Sequence, residues 1–408
     1  MGSFSIALTG LRAQSQALNT IGNNLANLNT TAYKLQSTTF SDLFYQQVGS
    51  SGSGNPLQQG LGVRVSGTQT DFGQGTISTT SDAADLAIQG NGFFVIDNNG
   101  TQELTRAGNF ELSNAGMLQT EDGLPLMGYQ AVNGVASVSG PLGSITLPTG
   151  ETQAAKATSN ITMSMNLNSD ASTGTEFSSS IKLYDSLGTS HTATVTFTKT
   201  DQNEWSYSVS LPSGESTGSS NTTGTLTFDS SGNLVSPSGS ISGISFSGLS
   251  DGASDLSFNW NLNDAAGNAT VSQTSSASAV ATTTQDGYES GTYTGFTIAS
   301  DGTVSAQFSN GQTEAIAMVA LANVANVQGL TRVGDNAYMT TAASGEAVIG
   351  GAGTGGRGQL EDDALEGSNV DISTEFSNLI VAQRAFEANS KTVTTFDTIA
   401  QETINLIR

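Results

Sequence analysis

The sequence predicts a mainly β protein with α-helical termini, in which the N- and C-terminal helices pair as a coiled coil and the middle forms two nested antiparallel β domains. Three observations predict this fold class. Apolar residues recur with a heptad spacing at both ends of the 408-residue chain. Apolar and polar residues alternate with a period of two in the long middle. Turn dipeptides that contain glycine separate the alternating runs.

The N-terminal segment has an amphipathic helical pattern of low charge. Arg12 is the only charged side chain before Lys34, so the face opposite the apolar stripe consists of uncharged polar residues. Such a helix is better suited to neighbours on several sides than to water. Residues 22–24 and 27–29 are poor helix formers, and we expect the helix to end or bend there. Its stripe comprises Phe4, Ala7, Leu11, Leu18, Ile21, Leu25, Leu28 and Ala32, with Gln14 at the remaining step.

The middle of the chain predicts short antiparallel strands. Ala193, Val195 and Phe197 alternate with threonines, and after a polar turn Trp205 begins a second alternating run. This pattern is typical of a hairpin with one buried face. Other alternating runs are bounded by Asn99-Gly100, Asp301-Gly302 and Asn310-Gly311, which are turn sequences.

The C-terminal helix repeats the heptad pattern of the N-terminus. Pairing two helices from opposite ends of the chain is non-local, so burial of about 1.5–3 kcal/mol per large side chain must offset the closure entropy. The stability of a single pair of helices would be marginal, whereas many copies packed side by side would be stable. The less specific alternative is that both helices pack on the protein's own core. The residues spaced by seven are Ile372, Leu379, Phe386, Val393, Ala400 and Ile407, flanked by Phe376, Phe396 and Ile404.

Changes in composition indicate the domain boundaries. Residues 49–54 form a Gly/Ser run, 149–159 are polar, and 350–358 are rich in glycine. The stretch 155–284 is the richest in Ser and Thr. The predicted order is a terminal helical domain of residues 1–34 and 364–408, an extended linker over 35–74, a first β domain of 75–150 and 285–360, and an inserted outer β domain of 151–284.

The charge balance and the residue types exclude several function classes. The chain carries 12 Lys and Arg against 35 Asp and Glu, a net charge of −23, and charged residues make up 12% of it, against about 25% in an ordinary soluble domain. This acidic balance argues against nucleic acids and anionic membrane surfaces as binding partners, because both require clustered Lys and Arg. Cysteine is absent, which excludes disulfides and thiolate chemistry. We expect no cleaved signal peptide and no membrane span.

No motif in the sequence predicts a convincing catalytic, cofactor or metal site. Residues 351–356 match G-x-G-x-x-G but lack the flanking strand and helix of a dinucleotide site, so we interpret them as a linker. Asp97 begins a loop that resembles part of a calcium-binding loop. The spacing and the terminal glutamate of an EF-hand are missing, so we interpret the loop as a turn. The single histidine, His191, has Asp185 and Ser186 nearby, but a polar loop histidine is the commoner reading. Residues 361–363 are interpreted as an acidic start to the C-terminal helical region.

Both termini and a block in the first third resemble bacterial flagellar rod and hook proteins. The three blocks occur in the order of that family, and the large inserted segment is typical of its hook-forming members rather than of the shorter rod proteins. The blocks are Ala7-x-x-Gly10-Leu11 with Ile21-Gly22-Asn23-Asn24-Leu25 and Thr31-Ala32-Tyr33-Lys34; Asn91-Gly92-Phe93-Phe94 with Thr105-Arg106-Ala107-Gly108; and Ser368-Asn369-Val370-Asp371 with Ala382-Gln383-Arg384-Ala385-Phe386.

The resemblance implies a structural protein rather than an enzyme, without a cofactor. Members polymerise into a curved helical tube, the hook, which transmits motor torque from the rod to the filament as a universal joint. The implied partners are further copies of the chain, the hook cap, the distal rod protein, the hook–filament junction protein and the flagellar export apparatus. We expect the helical stripe to mediate polymerisation through Phe4, Leu11, Leu18, Ile21, Leu25, Leu28, Ile372, Leu379, Phe386, Val393 and Ile407.

Three alternatives remain open at the level of sequence. The first is a distal rod protein of the same family with an unusual insertion. The second is a secreted β-rich adhesin or glycan-binding protein, suggested by the Ser/Thr-rich middle and by Trp205 and Trp260. An enzyme built around His191 is the third.

Overall fold

The fold is described from a computed structural model of the chain, which describes residues 2–50, 52, 54–264 and 266–406. The chain divides into two compact units. Unit 1 comprises Met1–Thr149, Phe296–Ala306 and Glu314–Arg408, and unit 2 comprises Gly150–Gly295 and Gln307–Thr313. Unit 2 is thus inserted between segments of unit 1.

Two long helices and many short strands make up the described chain. The helices are α1 (Gly2–Ala26) and α2 (Ile372–Leu406). Before residue 150 lie β1 (Gln36–Asp42), β2 (Tyr45–Ser50), β3 (Pro56–Gly60), β4 (Val63–Thr70), β5 (Ile77–Thr79), β6 (Leu86–Gln89), β7 (Phe93–Asn98), β8 (Thr101–Thr105), β9 (Phe110–Leu112), β10 (Leu118–Thr120), β11 (Met127–Gln130) and β12 (Leu142–Ser144). Next come β13 (Thr152–Gln153), β14 (Asn160–Asn168), β15 (Glu176–Tyr184), β16 (Ser190–Asp201), β17 (Glu204–Ser210), β18 (Gly218–Ser220), β19 (Thr223–Phe228), β20 (Leu234–Ser236), β21 (Ser240–Ser247), β22 (Leu256–Asn261), β23 (Val271–Thr274) and β24 (Ala279–Gln285). The last are β25 (Gly291–Ile298), β26 (Thr303–Phe308), β27 (Thr313–Val319), β28 (Leu321–Asn323), β29 (Thr331–Gly334), β30 (Ala337–Met339), β31 (Val348–Gly350), β32 (Gln359–Asp362) and β33 (Ala364–Glu366), with a 3₁₀ turn at Val327–Gly329.

The terminal helices lie against each other, which confirms the predicted pairing. Asn24 near the end of α1 bonds to Glu375 in the first turn of α2, and Gly10 lies against Asn389, so the two helices are antiparallel. Extending this register places the start of α1 beside about Asp397. The last turns of α2 therefore extend past the start of α1. None of the helices described is long and apolar enough to cross a membrane.

Helix α1 ends directly before the second of the two segments predicted to stop it, 27–29, and continues through the first, 22–24. It runs through 22–24 and ends at Ala26, because the buried Asn24 side chain finds hydrogen-bond partners on other segments. Its most buried line is Ala13, Ala17, Thr20 and Asn24. This line differs from the predicted stripe and meets two neighbours: Asn24 bonds to Glu375 of α2 and Thr20 bonds to Thr38 of β1.

Helix α2 begins later than the acidic triplet suggests. Residues 361–363 lie in β32 and the turn after it, where Asp363 has φ 50°, so the prediction that they open the helical region is wrong. The helix begins only at Ile372 because Asp371 caps it: Oδ1 of Asp371 accepts a hydrogen bond of 2.6 Å from the Thr374 amide. This bonding to the carboxylate lowers the pKa of Asp371.

Residues 35–74, predicted as an extended linker, pair with one another in two antiparallel ladders. Strand β1 pairs with β4 and β2 pairs with β3. The chain turns at Gly62, whose φ of 118° favours glycine and whose Cβ position is taken by the Thr9 hydroxyl of α1. The β1–β4 ladder therefore packs on α1 instead of spanning open space.

Unit 1 also holds a six-stranded sheet in the order β29-β30-β8-β7-β28-β31. Its central hairpin, β7–β8, turns at Asn99 and Gly100, which have φ of 53° and 88°. Positive φ at both positions is the geometry of a type I′ turn, as the Asn-Gly dipeptide predicts. Phe93, Val95, Leu104 and Tyr338 lie in the core beside this sheet.

Unit 2 contains a five-stranded sheet in the order β15-β16-β17-β19-β20 and a second sheet in the order β18-β21-β22-β14-β23, with β24 also paired to β14. The predicted hairpin is formed by β16 and β17. Not every pair of neighbouring strands in this unit is antiparallel. Strand β14 runs parallel to β22 and to β23, because between β14 and these strands the chain passes through the other sheet. Trp205 and Trp260, which suggested a glycan surface, are fully buried in the core.

Candidate functional site

The predicted helical stripe is only partly covered within the chain. Leu11, Leu18, Ile21, Leu25, Leu28, Leu379 and Val393 are half-buried, and Phe4, Ile372 and Phe386 are exposed. Ile407 lies outside the described residues. A monomeric protein rarely leaves so many large apolar side chains of one helix pair in solvent, and such surfaces mark interaction sites.

Helix α2 exposes further apolar side chains that the heptad pattern alone does not select. Ile380, Val381 and Ile399 are all exposed. Ile399 and Ile404 belong to the end of α2 that extends past α1, so no residue of α1 is placed to cover them. We refer to the exposed apolar residues of the two helices as the helical surface, which comprises Phe4, Ile372, Phe376, Ile380, Val381, Phe386, Ile399 and Ile404.

A buried ion cluster, here called the junction, lies where the chain leaves α1 and approaches α2. Its members are Lys34, Arg106 and Glu366. Lys34 Nζ donates to Glu366 Oε1 at 2.7 Å and to the Gly73 carbonyl at 2.8 Å. An Arg106 guanidinium nitrogen lies 3.6 Å from Glu366 Oε2. The Lys34 and Glu366 side chains are 0% and 1% exposed, so this ion pair is screened from solvent.

Burial sets the electrostatics of the junction. Desolvation lowers the pKa of Lys34, and the bond to Glu366 opposes that change. Desolvation likewise lowers the pKa of Arg106. One carboxylate thus faces two desolvated cations. Glu366 is therefore the group on which the charge balance of the junction depends.

Two asparagines complete the connection between the helices and the strands. Asn24 donates to Glu375 Oε2 at 2.9 Å and to the Gln36 carbonyl at 2.8 Å. Asn369 accepts from the Leu35 amide at 2.7 Å through Oδ1. These bonds fix the end of α1, the start of β1 and the approach to α2 relative to one another.

Glycine is required at position 75 beside the junction. The Gly75 amide donates to Glu366 Oε1 at 2.8 Å, and a Cβ at this position would collide with the Gly367 carbonyl. We expect Gly75→Ala to destabilise unit 1 by about 1–3 kcal/mol, because the Gly367 backbone cannot move aside from the new methyl group as a flexible side chain could. Chemical denaturation measures this effect. Gly67→Ala is the matched control, since no atom lies within 4 Å of its Cβ position; equal stabilities of the two variants would contradict the assignment.

In unit 2, His191 is buried and not a loop residue as predicted. It lies in β16 among three carboxylates, and we call Asp185, His191, Glu215 and Asp251 the His191 cluster. Nε2 of His191 lies 3.0 Å from Asp185 Oδ2 and 3.7 Å from Asp251 Oδ2, while Nδ1 lies 2.9 Å from Glu215 Oε2. The sequence separates Glu215 and Asp251 too widely from His191 for the pattern to reveal them.

The carboxylates govern the protonation of this cluster. Burial opposes the charged imidazole, but hydrogen bonds to Glu215 and Asp185 outweigh it and raise the pKa of His191. Burial would raise the pKa of Asp185 as well, yet its contacts with the Asp251 and His191 side chains and the hydrogen bonds from the Leu187 and Thr189 amides lower it to about 2.

The glycine-rich segment 351–356 folds around a side chain of its own loop. Arg357 Nε donates to the Gly351 carbonyl at 3.1 Å and its guanidinium donates to Thr354 Oγ1 at 3.0 Å. The segment connects β31 to β32, and the Arg357 guanidinium is held by oxygen atoms of this loop. Asp97 caps the β7–β8 turn by accepting from the Gly100 amide at 3.1 Å.

Comparison with protein families gives matches along most of the chain. The Flagella basal body rod protein profile matches residues 4–34 and the Flagellar hook protein FlgE/F/G D1 domain profile matches 87–166. The Flagellar basal body protein FlaE D2 domain matches 151–288, and the Flagellar basal body rod FlgEFG protein C-terminal profile matches 361–406.

Full-length relatives have the same extent as this chain. The flagellar hook protein FlgE of Escherichia coli K12 is 36% identical over 99% of this chain and 100% of the relative. FlgE of Treponema pallidum is 30% identical over 100% of both chains. The crystal structure of flagellar hook protein FlgE2 from Helicobacter pylori matches 71% of this chain and 100% of that one, with a TM-score of 0.56 at 15% identity, which is a likeness of fold.

Proposed function

The chain belongs to the flagellar hook protein family, and on this premise we propose that it is the structural subunit that polymerises into the curved tubular hook and transmits torque from rod to filament. The observation that carries the proposal is the helical surface. Its exposed apolar residues extend along α2 and continue beyond the start of α1. Further copies of the same helices would cover it.

The chemistry of the helices supports packing among identical copies. Arg12 is the one charged residue of α1, so a helix surrounded by neighbours would not have to desolvate a row of charges. Burial of each large apolar side chain contributes about 1.5–3 kcal/mol. Repeated over many subunits, this burial would stabilise a tube that one helix pair could not form. We also assign the stripe residues predicted from the sequence to these contacts between copies.

The junction supports the mechanical part of the proposal. Torque that enters through packed terminal helices must reach the β strands of unit 1 without bending the intervening chain. The buried ion pair and the asparagine bonds would resist such bending. The low charge of the remaining surface suits domains that slide past each other, because few fixed ion pairs break with each revolution.

The proposed surroundings follow from this role. The subunit would leave the cell unfolded through the flagellar export apparatus without a cleaved signal peptide, and would assemble beneath the hook cap. It would contact the distal rod protein at one end of the hook and the hook–filament junction protein at the other.

Deleting the gene and examining the cells by electron microscopy tests the function. We expect non-motile cells that carry rods but lack hooks. Missing rods would favour a distal rod protein, and normal swimming would favour a secreted adhesin, each in place of the proposed function.

Truncation of the overhanging end of α2 tests the polymer contact. Removing residues 398–408 takes away Ile399 and Ile404 and leaves the part of α2 that faces α1. We expect secreted, folded subunits that form no hooks, since only contacts to other copies are lost. Circular dichroism checks the fold and micrographs count the hooks. Hooks of normal number and length would contradict the assignment of this segment.

A further inference from the structure

The His191 cluster in unit 2 has the composition and spacing of a metal site. We propose that it binds a divalent transition metal ion, Zn²⁺ before others, through His191 Nε2, Asp185 Oδ2 and Asp251 Oδ2. One imidazole and two carboxylates with an open fourth position form a ligand set that zinc accepts. This site is independent of the helical surface and of the polymer role.

The distances fit a single small ion. The three ligand atoms lie within 4.8 Å of one another, with Nε2 at 3.0 Å from Asp185 Oδ2 and 3.7 Å from Asp251 Oδ2. Ligands at about 2.0–2.1 Å from a tetrahedral Zn²⁺ stand about 3.3 Å apart. The two separations from Nε2 bracket that value, and the third, between the two carboxylate oxygens, is at most 4.8 Å.

The surrounding groups orient the ligands in advance. Glu215 Oε2 lies 2.9 Å from Nδ1 of His191, so Nδ1 can keep a proton for Glu215 when the metal takes the place of the proton on Nε2. A carboxylate behind a ligating histidine is a recurrent feature of zinc sites. Oδ1 of Asp185 accepts from the Leu187 and Thr189 amides at 2.8 and 2.9 Å, which turns Oδ2 towards the imidazole.

The charge of the cluster favours a divalent ion over a proton. Asp185, Glu215 and Asp251 surround one imidazole, and within the described chain no Lys or Arg forms an ion pair with these carboxylates. Three carboxylates and an imidazolium sum to −2, whereas three carboxylates, a neutral imidazole and Zn²⁺ sum to −1. The side chains of Glu215 and Asp251 are 33% and 24% exposed, which provides a path for the ion from solvent.

A bound ion would link three segments of unit 2. Asp185 lies in the turn between β15 and β16, His191 lies in β16, and Asp251 lies between β21 and β22. These strands come from both large sheets of the unit. The ion would therefore act as a cross-link where cysteine is absent, and would stabilise unit 2 against unfolding.

The test uses the untagged full-length monomer, stripped with a chelator and titrated with ZnCl₂ near neutral pH. Because His191 is the only histidine, its two ring-carbon proton signals in the NMR spectrum report on this site alone. We expect these signals to shift with a 1:1 stoichiometry and the melting temperature of unit 2 to rise by about 5 °C at 100-fold excess over Kd. Unshifted ring signals at millimolar Zn²⁺ would overturn the proposal.

Variants separate ligands from supporting groups. Asp251→Asn should weaken binding by more than about tenfold, and Glu215→Gln by about 10–100-fold through the imidazole orientation alone. Glu176→Gln removes an exposed carboxylate of the same unit and should leave the affinity unchanged. If Asp251→Asn and Glu176→Gln bound Zn²⁺ equally well, the ion would be held elsewhere and the proposal would be wrong.

Discussion

Replacing Glu366 with alanine is expected to lower the free energy of unfolding of unit 1 by about 3–5 kcal/mol, the cost typical of breaking a buried ion pair from one side. The variant leaves Lys34 and Arg106 buried without their carboxylate. It also removes the acceptor of the Gly75 amide. Since a domain is stabilised by only about 5–15 kcal/mol in total, much of unit 1 should unfold at moderate temperature.

The cause can be isolated by a second substitution. In Lys34→Met/Glu366→Gln the Lys34–Glu366 pair is replaced by uncharged side chains of similar length, so no unpaired ammonium remains, while the Arg106 guanidinium still lacks its carboxylate. We expect this double variant to recover the part of the lost stability that the unpaired Lys34 causes, because apolar replacement of a buried pair is often close to neutral. Glu346→Ala, an exposed glutamate of the same unit, should stay within about 0.5 kcal/mol of the parent. Denaturant melts followed by circular dichroism provide the comparison.

Two outcomes would argue against the junction as described. If Glu366→Ala and Glu346→Ala had the same stability, Lys34 would have to reach water in the native state. If the double variant were no better than Glu366→Ala, the loss would not come from the unpaired charge of Lys34. Hydrogen exchange at the start of α2 would then show whether the helix remains attached to the strands.

The junction illustrates which features of this fold the sequence predicts and which it does not. Lys34 and Arg106 stand in the blocks that resemble the family, but their burial depends on a partner 332 positions away from Lys34. Local patterns carry no information on such a contact. Alternation and turn dipeptides, by contrast, are local, and they predict the β7–β8 and β16–β17 hairpins correctly.

The helices show the same division between local and non-local information. The period of α1 predicts a helix, yet not that a second line of small residues, Ala13, Ala17 and Thr20, is its most buried side. Of the three carboxylates around His191, only Asp185 is near it in sequence. Folding brings Glu215 and Asp251 to it.

Introducing a charge on the helical surface should abolish hook formation and leave the subunit folded. Ile380 is 58% exposed on α2, so Ile380→Asp should change the free energy of unfolding of the monomer by no more than about 0.5 kcal/mol. In a polymer whose helices are packed together, the same aspartate would have to be desolvated at each subunit, which costs several kcal/mol per ion. The expected cells are non-motile, secrete the subunit into the medium and lack hooks in micrographs.

Val235→Asp is the matched control, because Val235 is 56% exposed in unit 2 and receives the same charge. It should be secreted, assembled and motile to a degree close to the parent, so that the contrast depends on the location of the charge and not on its presence. Hooks of normal length with Ile380→Asp would mean that this face of α2 stays in water after assembly. The helical surface would then be buried only along its other residues, and the truncation at residue 398 would decide whether the overhanging end is among them.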